Sequence, residues 1–193
     1  MKHLIIYAHP NKASLNHHFK QTVVDILTQH NHDVIVRDLY HIDFNPILSL
    51  SDIGGQRKGE VSDDVKMEQD FISWADIITF IYPIWWTGMP AIMKGYIDRV
   101  FSYGFAYRYD QGIQKGLLSG KEIFVINTQG KSNTEYKEIG MDQALSLTSD
   151  KGIFSYCGFE IKQHFFFDKA DMADKERVND WTVAISQPYL KSI

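Results

Sequence analysis

The chain has a single cysteine and only five prolines among 193 residues, with no long apolar run and no block of basic residues. One cysteine excludes an intrachain disulfide, so a packed core has to hold the fold, as in a reducing compartment. That residue, Cys157, sits among Phe154, Tyr156 and Phe159, a setting for a buried structural thiol rather than an exposed nucleophile. The opening apolar stretch, Leu4 to Ala8, is too short for a signal-peptide core or a membrane span, so a cytoplasmic location without membrane insertion is expected. Twenty basic against 24 acidic residues give a formal charge of −4 with no cationic cluster, and this offers no footprint for nucleic acid. The expected partner is a small molecule or a protein.

The chain is also rich in apolar residues: hydrophobic side chains make up 44% of it, enough for one globular domain over residues 1–193. A domain of this length buries roughly 70% of its unfolded surface. Apolar bursts of strand length recur at Leu4 to Ala8, Ile77 to Tyr82, Ile123 to Thr128 and Ile161 to Phe167, and Asp33 to Leu39 alternates as an edge strand does. Helical spacing appears in between, in Leu15, Phe19, Val23, Ile26 and Leu27, and again in Ile92, Met93, Tyr96, Ile97, Val100 and Phe101. Pro90 is expected at the first helical position and Ser62 as the cap of a helix reaching about Trp74. Weaker helical patterns run from about Gly140 to Cys157 and from Ala173 to Leu190. Alternating strand and helix predict an α/β fold, a doubly wound parallel five-stranded sheet of order 2-1-3-4-5 with helices on both faces. Residues 40–61 and 102–120 read as long irregular connections, suited to binding or to contact with a second subunit.

Ligands of such sheets bind beyond the carboxyl ends of the strands, at the switch point between the turns after strands one and three. The first turn runs His9, Pro10, Asn11, Lys12, Ala13, Ser14, Leu15, Asn16 into a helix, where free amides suit a phosphate; a plain helix cap with a surface histidine is the alternative. The absence of G-x-G-x-x-G disfavours a dinucleotide held in Rossmann fashion. The second turn, Pro83, Ile84, Trp85, Trp86, Thr87, Gly88, Met89, Pro90, cannot bury both tryptophans, so at least one is expected to face a ligand or partner, structural anchoring being the alternative. A planar heteroaromatic ring such as a flavin suits this turn. After strand four, Asn127, Thr128, Gln129, Gly130, Asn133, Thr134 and Tyr136 supply polar groups at the same end, suited to the ring's other edge, with an ordinary polar turn as the alternative. Gly116 to Lys121 is one residue short of a P-loop, and the adjacent His17 and His18 do not share a helix face, so neither a nucleoside triphosphate nor a metal is expected.

These segments resemble the NAD(P)H quinone reductase family, the DT-diaphorase-like branch of flavodoxin folds. The resemblance rests on His9 with Ser14 and Asn16, on Phe44-Asn45-Pro46-Ile47 and on Pro83 through Phe101, with Trp86 to Gly95 the most specific stretch. It implies that His9, Ser14, Leu15 and Asn16 hold the phosphate side of a flavin, FAD or alternatively FMN. It assigns Pro83, Ile84, Trp85 and Trp86 to the isoalloxazine, and Asn127, Thr128, Gly130 and Tyr136 to the pyrimidine edge. Trp86, Tyr107 and Tyr109 would line the substrate pocket, the tyrosines serving the neighbouring subunit of a homodimer. The implied reaction is two-electron reduction of a quinone by NAD(P)H through a ping-pong mechanism, with Tyr136 stabilising charge on the reduced ring. Asp142 stands where better-known members have a histidine, Gln129 where they often have glycine, and Thr87 where mammalian enzymes have an aromatic. The alternatives are a flavodoxin-like electron carrier, usually more acidic than this chain, or a regulatory flavoprotein subunit of a potassium-efflux system.

Overall fold

A computed structural model describes residues 1–191. Strands β1 (Lys2–Tyr7), β2 (Asp33–Asp38) and β3 (Ile77–Pro83) join β6 (Glu122–Thr128) and β7 (Glu160–Phe167) in one parallel sheet of order β2-β1-β3-β6-β7. A separate antiparallel hairpin, β4 (Tyr107–Asp110) and β5 (Ile113–Gly116), precedes β6. Counted without that hairpin, the order is the expected 2-1-3-4-5. Every residue of β3 is buried, whereas the edge strand β2 keeps no residue fully buried, as continuous and alternating apolar patterns require.

Side chains alternate across the sheet and so build two cores. Ile5, Tyr7 and Ile81 pack with Phe19, Val23 and Leu27 of α1 (Leu15–Gln29) and Ile185 of α7 (Lys175–Lys191). Leu4, Ile6, Phe80 and Tyr82 pack with Ile72 of α3 (Asp63–Trp74) and with Met93, Tyr96 and Val100 of α4 (Ala91–Val100). Gly95 is required in α4, because a Cβ there would stand 2.2 Å from the carbonyl oxygen of Pro46.

Several local expectations change. Pro90 is the cap of α4 rather than its first helical residue. Ser62 precedes α3 but caps no amide; its hydroxyl accepts from Arg99 Nη2 at 3.1 Å. Buried Arg99 also reaches Asp64, Asp52 and the carbonyl of Asn45, and so holds down the stretch 40–61. That stretch carries α2 (Leu50–Gln56), started by a Ser49–Asp52 capping box. The weak pattern after Gly140 resolves into α6 (Met141–Ser146) running into a π-helix, Leu147–Ser155, after α5 (Asn133–Glu138). Among the described residues no helix is long and apolar enough to cross a membrane, and no group of three or more His, Cys, Asp or Glu is placed to hold a metal.

Candidate functional site

The turn from β1 into α1 is organised by its own side chains. Ser14 takes extended backbone angles and its Oγ accepts the His17 amide at 3.2 Å, capping α1. The amide of Asn11 donates to His9 Nδ1 at 3.0 Å, which places the ring proton on Nε2 and leaves that nitrogen a free donor. Burial lowers the His9 pKa, which favours this neutral form. Asn16, only 2% exposed, donates from Nδ2 to Thr128 Oγ1 at 2.8 Å, while its Oδ1 has no partner among the described residues. The first-turn amides of α1 point beyond the sheet, as helix geometry leaves them.

The turn from β3 into α4 is strained. Trp85 and Gly88 exchange two backbone hydrogen bonds at 3.0 and 3.1 Å around a two-residue loop. Its central residues, Trp86 and Thr87, have φ of 49° and 56°, the left-handed angles of a type I′ turn that Asn-Gly normally fills. Left-handed backbone costs a residue with a side chain roughly 1–2 kcal/mol, and a β-branched threonine is a genuine outlier there. Trp86 is 100% exposed, and Trp85 is 41% exposed with its ring edge-on to His9 at 5.6 Å. The turn's base is fixed by the Ile84 amide donating to the Thr128 carbonyl at 2.7 Å.

After β6, Gln129 is 3% exposed and donates to the Lys131 carbonyl and Asn133 Oδ1, leaving Oε1 without a partner among the described residues. Ser132 and Glu135 form a capping box that starts α5 and so places Tyr136.

The structure gathers His9, Ser14, Leu15, Asn16, Pro83, Ile84, Trp85, Thr128 and Gly130 around one cavity of about 290 Å³, which Gln129 and Asp171 also line. Tyr136 and Asp142 share an adjoining cavity of about 340 Å³, reached past Gln129, and Asp142 Oδ1 has no partner among the described residues. Asn127 is turned elsewhere: its side chain bonds the Tyr82 carbonyl and His164 and lines a third, apolar cavity together with Thr87. Tyr107 and Tyr109 line a fourth cavity of about 590 Å³ with Ile53 and Tyr103, a lining that does not include Trp86. Arg177 is engaged by Asp168 and lies over Trp181. Burial pushes the Cys157 thiol up to about 12, as befits a structural cysteine.

Sequence reasoning passed over His164 and Asp150. The only hint was a histidine interrupting the apolar run Ile161 to Phe167, and Asp150 lay in a stretch too weakly periodic to orient.

A family model described as a flavodoxin-like fold matches residues 1–186. A Haemophilus influenzae protein named an uncharacterized NAD(P)H oxidoreductase is 42% identical over 179 residues, 92% of this chain and 89% of that protein. NAD(P)H dehydrogenase (quinone) 1 of Rattus norvegicus is 32% identical over 82% of this chain, which spans only 65% of that enzyme's length. Among solved structures, a provisionally named quinone reductase of Klebsiella pneumoniae has a TM-score of 0.88 at 31% identity, covering 97% of this chain and 83% of that one.

Proposed function

The chain belongs to the flavodoxin-like fold family, and from that premise we propose that it is a flavin-dependent NAD(P)H:quinone oxidoreductase. The observation that carries the reading is the strained Trp86–Thr87 turn, set beside the open N-terminus of α1 at the switch point of the sheet. Strain of this kind persists only where the surroundings over-determine it, and it clusters at ligand clamps. The relatives named as NAD(P)H oxidoreductase and NAD(P)H dehydrogenase (quinone) supply the reaction class.

The donor set fits a flavin. Buried Asn16 Oδ1 and Gln129 Oε1 are acceptors in want of a donor, and a flavin offers ribityl hydroxyls and a ring N–H. His9 Nε2–H and the first-turn amides of α1 are donors and suit its phosphate. Pro83, Ile84 and Trp85 would hold the ring, and Tyr136 would present its hydroxyl to the pyrimidine edge. When bound, the flavin supplies two-electron transfer between NAD(P)H and a quinone. The chain's own residues orient the ring, keep water from its buried edge and place the Tyr136 O–H donor where negative charge grows.

Of the two flavins, FMN suits the site better than the FAD suggested by resemblance. The first turn of α1 lines the cavity and suits one phosphate, the carboxylate of Asp171 on the same lining would repel a second, and Arg177 is paired with Asp168. A homodimer completes the reading: Ile47, Leu50, Tyr109 and Ile113, on the hairpin and on or just before α2, are all exposed, and a second subunit would cover them. The partner's tyrosines would then close the ring's open face.

The test is to purify the protein, release and chromatograph its flavin, and assay NADH and NADPH oxidation with a benzoquinone. FMN at one per chain with quinone-dependent turnover is the expected result. A colourless protein that takes up neither FMN nor FAD would overturn the assignment, and bound FMN without turnover would mark an electron carrier. Sedimentation of a fully active monomer at micromolar concentration would refute the dimer.

A further inference from the structure

His164 on β7 lies beside the apolar cavity of about 330 Å³ formed by α4, the π-helix and the ends of β3 and β6. Its side chain is 7% exposed, and its ring stacks on Phe166 with centroids 3.9 Å apart. Nδ1 faces Asp150 Oδ1 at 2.8 Å, and Nε2 faces Asn127 Oδ1 at 2.7 Å. The Asn127 amide is not free to turn over, because its Nδ2 donates to the Tyr82 carbonyl at 2.8 Å; a flip would set two carbonyl oxygens against each other. Both partners of the ring are therefore acceptors. An imidazole that donates from both nitrogens is the imidazolium, so the geometry calls for a proton on each.

We propose that Asp150, His164 and Asn127 form a charged clamp that positions the two turns of the flavin site, with His164 as its positioning residue. The proposal rests on the flavin reading above. The clamp's reach follows from what Asn127 holds. On one side its amide fixes the Tyr82 carbonyl, immediately before Pro83 and the strained Trp86–Thr87 turn. On the other, the next residue, Thr128, receives Asn16 Nδ2 on its hydroxyl and the Ile84 amide on its carbonyl. Asp150 is delivered by a π-helix, a form of helix frequent at functional sites.

One proton on Nε2 thus ties the π-helix to the ends of both central strands. When it leaves, Asp150 retains the Nδ1 hydrogen and Nε2 turns a lone pair toward Asn127 Oδ1. Asn127 can satisfy that lone pair only by flipping and giving up Tyr82. The other charged and titratable groups around the ring are few. Tyr82 from β3 and Lys94 from α4 line the same cavity, and Lys162, two residues along β7, is neutralised by Glu122 and Glu160.

The clamp is tested first on the flavin-free protein, by long-range nitrogen–proton spectra of the histidine rings. His164 should show two protonated nitrogens at neutral pH, and a neutral tautomer there would overturn the proposal. FMN titrations then read the positioning. In His164→Gln and in Asp150→Asn affinity should be about tenfold weaker than in wild type. Variants with wild-type affinity would refute the clamp. Failure of the wild type to bind FMN would instead refute the flavin site, leaving the ring spectra to decide the charge on His164.

Discussion

At the scale of the residue, the site divides into groups that hold and groups that act. Tyr136 and Asp142 share one cavity and neither is tied into a structural network, so their substitution should spare the fold. A hydroxyl aimed at a ring edge that becomes anionic on reduction binds the reduced form more strongly than the oxidised, and only that difference lowers a barrier. A hydrogen bond to a charged group is worth roughly 1.5–3 kcal/mol, so Tyr136→Phe should slow flavin reduction by about ten- to a hundredfold with little change in FMN affinity. Stopped-flow reduction by NADPH measures this, and wild-type rates would remove Tyr136 from the mechanism. Asp142→Asn should slow the same step and alter its pH profile, if the carboxylate takes over the role the family gives to a histidine. The strained turn makes the opposite kind of prediction. Replacing Trp86 and Thr87 by Asn and Gly, which accept φ of 49° and 56° readily, should stabilise the protein by about 1 kcal/mol in urea unfolding and weaken FMN binding at the same time. Loss of stability in the double variant would show that the two side chains hold the fold rather than the ligand.

At the scale of the element, the buried strands were legible because continuous apolar runs have few other readings, and the alternating Asp33–Asp38 was legible as an edge for the same reason. Ser14, Asn16 and Trp85 could be placed because the turns after β1 and β3 must meet at the switch point. What could not be read depends on partners far along the chain. Helix α2 is held by Arg99, 47 residues from Asp52, and nothing in the local pattern announces it. The clamp was equally hidden: Asp150 and His164 lie 14 positions apart, and the π-helix that carries Asp150 has a phase no 3.6-residue pattern foretells. Gly95 shows how such a distant partner is recorded in one position. A methyl group there would meet the Pro46 carbonyl at 2.2 Å, and neither α4 nor the backbone before α2 can yield cheaply. Gly95→Ala should therefore destabilise by about 1–3 kcal/mol despite alanine's better helix propensity. Urea unfolding decides it, and a gain in stability would mean that the contact relaxes freely.

At the scale of the whole molecule, the two ends of the sheet differ. The carboxyl ends of β1, β3 and β6 carry the cavities of the site, while the amino end of β1 carries His3, buried at 1% exposure with Nε2 3.0 Å from His32 Nδ1. Burial, with His32 and the terminal ammonium adding to it against Asp76, lowers the His3 pKa from 6.5 to about 4. The sign follows directly. The unfolded chain takes up a proton on His3 below pH 6.5 that the folded chain refuses until about pH 4, so stability is full above 6.5 and is lost as pH falls through that window. The size is about 3 kcal/mol once the window is crossed, a large fraction of a domain's net stability. Asp64, held down to about 2 chiefly by its hydrogen bond to Arg99, acts only at lower pH, so the two effects separate. His3→Phe should remove much of the decline in urea midpoint between pH 6.5 and 4 while leaving FMN affinity unchanged, since the flavin site lies at the opposite end of the sheet. An undiminished decline in the variant would place the acid sensitivity elsewhere, and a changed FMN affinity would show that the two ends of the sheet are coupled.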